Sequence, residues 1–170
     1  LIPSDGSVRW ASIHELADEL TQGPLKGGRT AVVFDHDHTA PTYAATLALA
    51  AVFERIVLVT PRTHVAQGVN YCSGLGIHRR LNCAEVEIRT ACTPVGVLEQ
   101  SITLSNVFSA KESTVTDVDL FLYSTPRRVN DELEASAIAS NLEVHRIGDC
   151  MAPRNLMIAM HEGNEVGNTI

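Results

Sequence analysis

Thr30-Ala31-Val32-Val33-Phe34, an alanine-rich stretch from Pro41 to Phe53, and then Arg55-Ile56-Val57-Leu58-Val59-Thr60 decide the fold class of this chain. Both apolar runs are short and continuous rather than alternating. That pattern suits strands covered on both faces, as in a parallel sheet. The stretch between them is long enough for a helix, and a unit of about 30 residues matches a right-handed crossover between neighbouring parallel strands.

Upstream, Ile13, Leu16, Ala17 and Leu20 recur with helical period, predicting a helix over Trp10–Leu20 that Gly23-Pro24 stops. Downstream, the pattern predicts a short helix over His78–Asn82, a strand over Val86–Thr90 and a meander over Ser101–Val115. A buried strand over Asp119–Ser124 and a helix over Asn130–Ser140 follow. A last strand, Val144–Ile147, then turns at Gly148-Asp149 into a helix opening at Ala152-Pro153. The expected fold is α/β: a Rossmann-like, three-layer domain with a mostly parallel sheet and an antiparallel meander insertion.

The chain has 170 residues, with 13 basic against 20 acidic side chains and a formal net charge of −7. Only Lys26 and Lys111 are lysines, so no basic face for nucleic acid is expected. No apolar run reaches the roughly 20 residues of a membrane helix. Cys72, Cys83, Cys92 and Cys150 lack metal-type spacing and are too sparse for a disulfide framework, which points to reduced thiols and a cytoplasmic setting. Leu1 is not Met, so the native start is expected upstream.

The turn after the first strand is Asp35-His36-Asp37-His38-Thr39-Ala40-Pro41. A dinucleotide-binding turn places glycines here so that backbone N–H groups reach a pyrophosphate. This one has none, and its carboxylates would repel the phosphates, so ordinary NAD(P) binding is not expected. Val32 to Thr39 also fits hhhDxDxT and in that respect resembles the haloacid-dehalogenase-like magnesium-dependent phosphatases. That resemblance implies a nucleophilic Asp35, an acid/base Asp37 and a carboxylate-held magnesium, with Thr60 and Gly148-Asp149 at later motif positions. The pattern lacks an acidic ligand after Gly148-Asp149, and Lys111 is the one lysine downstream of the turn. His36 and His38 have no third metal ligand. The plainer reading makes Asp35, Asp37 and Thr39 caps of the next helix.

At the C-terminal end, Gly148-Asp149-Cys150-Met151-Ala152-Pro153-Arg154 runs into a helix carrying Glu162-Gly163 and Val166-Gly167. Gly148 permits close backbone approach, Asp149 offers a carboxylate to ribose or ribitol hydroxyls, and a helix N-terminus favours anionic oxygen. Pro153 fits the first turn of such a helix.

The run resembles the C-terminal end of the trimethylamine dehydrogenase, histamine dehydrogenase and 2,4-dienoyl-CoA reductase family. The glycine-free first turn is closer to its amine dehydrogenase branch. The resemblance implies a domain order of helix-bearing linker (1–28), NAD(P)-binding-like Rossmann domain (29–147), and a Gly-Asp turn and helix (148–170) completing a FAD/ADP-binding-like domain. It implies an FMN-dependent flavoprotein parent that oxidises a C–N bond of a small methylated amine, with room for a 4Fe-4S cluster, neither group held by this chain. Gly148, Asp149, Ala152 and Pro153, with Asp35 at the first turn, become the cofactor-binding positions for ADP or FAD. No residue of this chain is expected to be catalytic or to bind a metal. The implied partners are the rest of the flavoenzyme, an electron-transferring flavoprotein and further copies in a homo-oligomer.

Other positions read both ways. Arg62 stands where a 2′-phosphate contact would fall, or is a surface charge. Arg79-Arg80 and Arg127-Arg128 are solvated charges or contacts to an acidic partner. Trp10 reads as a packing anchor and Cys150 as a small buried residue.

Overall fold

In the computed structural model, which describes residues 2–169, the chain forms two compact units, one up to Thr125 and one from Pro126 onward. The first unit is built on a five-stranded, wholly parallel sheet. Its strands are β1 (Arg9–Ser12), β2 (Gly28–Phe34), β3 (Phe53–Val59), β4 (Glu87–Arg89) and β8 (Val118–Tyr123), in the order β1-β8-β2-β3-β4. Between β4 and β8 the chain makes a three-stranded antiparallel meander of β5 (Cys92–Leu98), β6 (Ser101–Asn106) and β7 (Glu112–Val115).

The alternation of side chains along the central strands explains the layering. Ala31 and Val33 of β2, Ile56 and Leu58 of β3, and Leu120 and Leu122 of β8 face one side. There they pack on Leu16 of α1 (Ile13–Gln22), Tyr43 and Leu49 of α2 (Ala40–Ala50), and Ile77 and Leu81 of α3 (Tyr71–Cys83). Val32, Val57, Val59 and Phe121 face the other side and meet Val97, Ile102, Leu104 and Val115 of the meander. The domain is therefore three-layered: helices, parallel sheet, antiparallel sheet. Burial of both sheet faces accounts for the continuous apolar runs, each buried Val or Leu contributing roughly 1.5–3 kcal/mol.

The N-terminal region departs from the predicted helix over Trp10–Leu20. Residues 9–12, within the expected linker, are the edge strand β1, paired to β8 through Trp10↔Phe121 and Ala11↔Leu122. Ser12 then caps α1: its hydroxyl accepts the Glu15 N–H at 3.2 Å, and the Glu15 carboxylate accepts the Ser12 N–H at 2.6 Å. A strand this short leaves no period of its own, so the helical period after Ile13 absorbs Trp10. The Trp10 ring packs edge-on against Phe121 with centroids 4.8 Å apart, the anchoring role its size suggested.

The second unit contains α4 (Glu134–Ala139), a 3-10 turn at Gly148–Cys150 and α5 (Leu156–Gly167). Gly148 is its one buried residue among those described. The predicted strand Val144–Ile147 does not form. A strand exists only as part of a ladder, and no described segment pairs with it.

Candidate functional site

The first candidate is the β2–α2 turn, at the carboxyl end of the central strand, where open α/β sheets usually bind ligands. Here the turn closes on itself. The Asp35 N–H extends the sheet by donating to the Val59 carbonyl at 2.8 Å, and its side chain is fully buried. Asp35 Oδ1 accepts the His38 N–H at 2.9 Å and Oδ2 accepts the Tyr43 hydroxyl at 2.7 Å. The Tyr43 oxygen in turn accepts the Ala66 N–H at 2.5 Å, tying the loop after β3 to the turn. A side chain at Gly68 would collide with the His38 carbonyl, so that loop lies directly on the turn.

Asp37 turns into the same space. Its Oδ1 accepts the Thr39 N–H at 3.1 Å and the Thr42 hydroxyl at 2.8 Å, and its Oδ2 accepts the Thr39 hydroxyl at 2.7 Å. Ser124, just past β8, accepts the N–H groups of His36 at 3.0 Å and Asp37 at 3.2 Å. The backbone donors that would cradle a phosphate are thus used by the chain's own oxygens. Neither aspartate caps α2 by accepting its first N–H groups, and Thr39, the N-cap, makes no side-chain cap bond. The capping expectation is replaced by an internal network of N–H groups and hydroxyls.

The electrostatics follow from this enclosure. Burial pushes the Asp35 carboxyl above its usual range, against the opposing hydrogen bond from Tyr43 and the neighbouring His38. Burial also pushes His38 down, favouring its neutral ring. The His38 ring lies 3.3 Å from Asp35 through Nδ1 but without hydrogen-bond alignment, so neither ring nitrogen has a partner. Asp37 is raised by burial, but the Thr39 and Thr42 hydrogen bonds outweigh this and hold it below the usual carboxylate range. Tyr43 is raised, by burial first and by Asp35 second.

This geometry does not fit a pyrophosphate, because Asp35, Asp37 and Ser124 already take the backbone donors of the turn. Nor does Asp35, expected among the cofactor contacts or as a nucleophile, present an oxygen to solvent. Among the described residues no group of three or more His, Cys, Asp or Glu side chains is placed to hold a metal.

The second candidate is the Gly148-Asp149 turn. Gly148 adopts φ 59°, and its missing side chain is used against α5, since a Cβ would lie 3.2 Å from the Ala159 Cβ. Its N–H donates to Glu162 Oε2 at 2.7 Å, and Glu162 is also paired with Arg154. The glycine therefore serves packing within the turn. Asp149 keeps an exposed carboxylate, 3.8 Å from Arg127 and 3.4 Å from the Arg154 N–H. Ala152 and Pro153 precede the helix rather than open it: α5 starts after Asn155, whose side chain accepts the Ile158 N–H at 3.0 Å.

Arg62 contacts Gln67 at 3.4 Å on the surface, and Cys150 is exposed rather than buried. All four cysteines are free thiols. No helix among the described residues is long and apolar enough to cross a membrane. Tyr43, Ser124 and Gly68 hold the first turn together, yet nothing in their local sequence marks them. Only the parallel pairing of β2 with β8, Phe34↔Tyr123, brings Ser124 to the turn.

Similarity to known proteins is visible in the fold. No family model matches the chain, and no curated protein matches it in sequence. Among solved structures, histamine dehydrogenase from Rhizobium sp. 4-9 superposes over 99% of this chain with a TM-score of 0.84 at 23% identity. The 6-hydroxypseudooxynicotine amine oxidase of Pseudomonas geniculata N1 covers 98% with a TM-score of 0.78 at 22% identity. A 2-naphthoyl-CoA reductase covers 99% with a TM-score of 0.72 at 18% identity. This chain spans 27%, 25% and 25% of those proteins, respectively. The fold is the Rossmann-like one found in part of these larger oxidoreductases, and histamine dehydrogenase is among the enzymes that the Gly148–Arg154 run resembles.

Proposed function

We propose that this chain is the dinucleotide-binding-like C-terminal part of an FMN-dependent oxidoreductase of the amine dehydrogenase type. The observation that carries this reading is the agreement of two signals. The Gly148–Arg154 run resembles the end of such enzymes, and the fold of nearly the whole chain is shared with histamine dehydrogenase.

The two units then have different tasks. The first, with its closed turn, acts as a scaffold and docking module that binds no nicotinamide. The second lacks a core, as a segment does that completes a nucleotide-binding domain whose sheet and glycine-rich turn are supplied elsewhere in the parent protein. Asp149 is the residue of this chain assigned to an ADP or FAD hydroxyl. The parent would supply FMN, any 4Fe-4S cluster and the amine-oxidising chemistry, and would pass its electrons to an electron-transferring flavoprotein.

Two measurements test this. Asp149→Ala in the parent protein should lower its ADP or FAD content while FMN content stays unchanged; unchanged nucleotide content would remove the binding role. Calorimetry of NADH and NADPH against this chain should show no saturable heat. A saturable signal would contradict the closed-turn argument.

A further inference from the structure

We propose that the groove between α2 and α3 is a docking site for an acidic, apolar segment of a partner protein. This deepens the docking role proposed for the first unit, but it is argued from the surface chemistry of two of its helices and can fail while the flavoenzyme reading stands.

Helix α2 carries no charged residue anywhere along Ala40–Ala50. Its inner face, Thr42, Tyr43, Thr46 and Leu49, is buried, while Pro41 and Ala44 are exposed and Leu47 and Ala48 half-exposed. A surface helix normally turns charged or polar residues outward, and one that is apolar all round is normally covered. Beside it, α3 carries no acidic residue, and it exposes Tyr71, Leu75, Arg79 and Arg80. The two helices enclose a groove floored by Ala40, Ala44 and Leu47 on one side and by Gly76 and Ile77 on the other, with Arg80 at its rim.

Small residues along the floor let a partner backbone approach closely. Arg80 reaches back along α3, its Nη1 3.9 Å from where a Cβ on Gly76 would lie. Neither Arg79 nor Arg80 makes an ion pair with a carboxylate among the described residues. In a chain of net charge −7, two adjacent helices that hold no acid and carry an unpaired arginine lining the groove, Arg80, with Arg79 exposed beside it, are a local reversal of sign. Charge complementarity selects an acidic occupant, and the alanine and glycine floor selects an apolar one. A second copy docked by two-fold symmetry would set these arginines against their own equivalents with no carboxylate between them, which disfavours it.

The test is to pan a random peptide library on the full chain and measure binding of the enriched peptides by fluorescence anisotropy. Enriched sequences should combine Asp or Glu with Leu, Ala or Phe. Their affinity should fall on the order of tenfold in Arg80→Glu, and further in Arg79→Glu/Arg80→Glu. Gly76→Leu should block binding by filling the groove, and it replaces a helix-interior glycine with a better helix former, so the variant folds. The proposal is overturned if nothing is enriched, if enriched peptides are neutral or basic, or if acidic ones bind the variants unchanged. It is equally overturned if sedimentation shows the chain dimerising and Gly76→Leu abolishes the dimer, since a second copy would then own this face.

Discussion

Two acidic turns sit at the carboxyl ends of apolar segments in this molecule, and they are built in opposite ways. At Asp35–Thr39 the carboxylates point inward and are saturated by the chain's own N–H and hydroxyl groups. At Gly148–Asp149 the glycine packs on α5 while the carboxylate stays exposed, touched by long contacts to Arg127 and Arg154. The contrast teaches that an Asp in a turn just before a helix has no fixed meaning. What decides is whether neighbouring elements donate hydrogen bonds to it or leave it to solvent.

The largest effect should separate the turns by stability. Asp35→Ala leaves the buried Tyr43 hydroxyl and the His38 N–H without their acceptor, and urea unfolding should show a loss of about 3 kcal/mol. Asp149→Ala should stay within about 0.5 kcal/mol by the same assay. Equal losses at both sites would erase the distinction.

A smaller effect is pH-dependent. Burial pushes His38 down, so between its folded value and the ordinary histidine value of about 6.5 the unfolded chain binds the proton that the folded chain refuses. Stability from this group is therefore complete above about pH 6.5 and declines as pH falls below it. The depressed Asp37 acts in the same direction at lower pH, its contribution fading as pH drops through its folded value. The raised Asp35 acts oppositely: its contribution is present below the ordinary carboxylate value of about 4 and is lost as pH rises through its folded value. His38→Asn removes one titrating group and tolerates the φ of 57° at that position. The stability advantage of the native chain over His38→Asn should shrink from about pH 7.5 to about pH 5.5; a constant difference would mean that His38 is not held neutral.

The smallest effect lies in the meander. Ala110 is exposed with φ 54°, a left-handed conformation that glycine adopts without steric penalty. Ala110→Gly should raise stability by about 0.5 kcal/mol, the relief outweighing the added freedom of the unfolded chain. A loss would show that the turn tolerates alanine without strain.

Much of the fold is legible in the sequence. The continuous runs Thr30–Phe34, Arg55–Thr60 and Asp119–Ser124 mark central parallel strands because burial on two faces leaves their interior positions apolar. The helix after the first strand is legible in its alanine-rich composition, and the meander only in part, since Ser101–Val115 takes in β6 and β7 but not β5. Strand β1 is not, because four residues at a sheet edge carry no period. The segment Val144–Ile147 has strand composition without a strand, since a ladder needs a partner and this unit supplies none. The groove chemistry of α2 and α3 can be seen in outline, as a charge-free helix and a helix without acids, though their adjacency cannot.

By itself the sequence determined the layered α/β class, through apolar periodicity, and the absence of a glycine cradle at the first turn, through composition. Tertiary structure alone decided where the polar atoms go. It brought Ser124 and Ala66, distant in the chain, onto the Asp35–Thr39 turn, buried Asp35, and left Asp149 exposed. Periodicity reports which residues leave water, a property of each segment. Hydrogen-bond partners at a turn are set by which strands lie side by side, and that is a property of the assembled sheet.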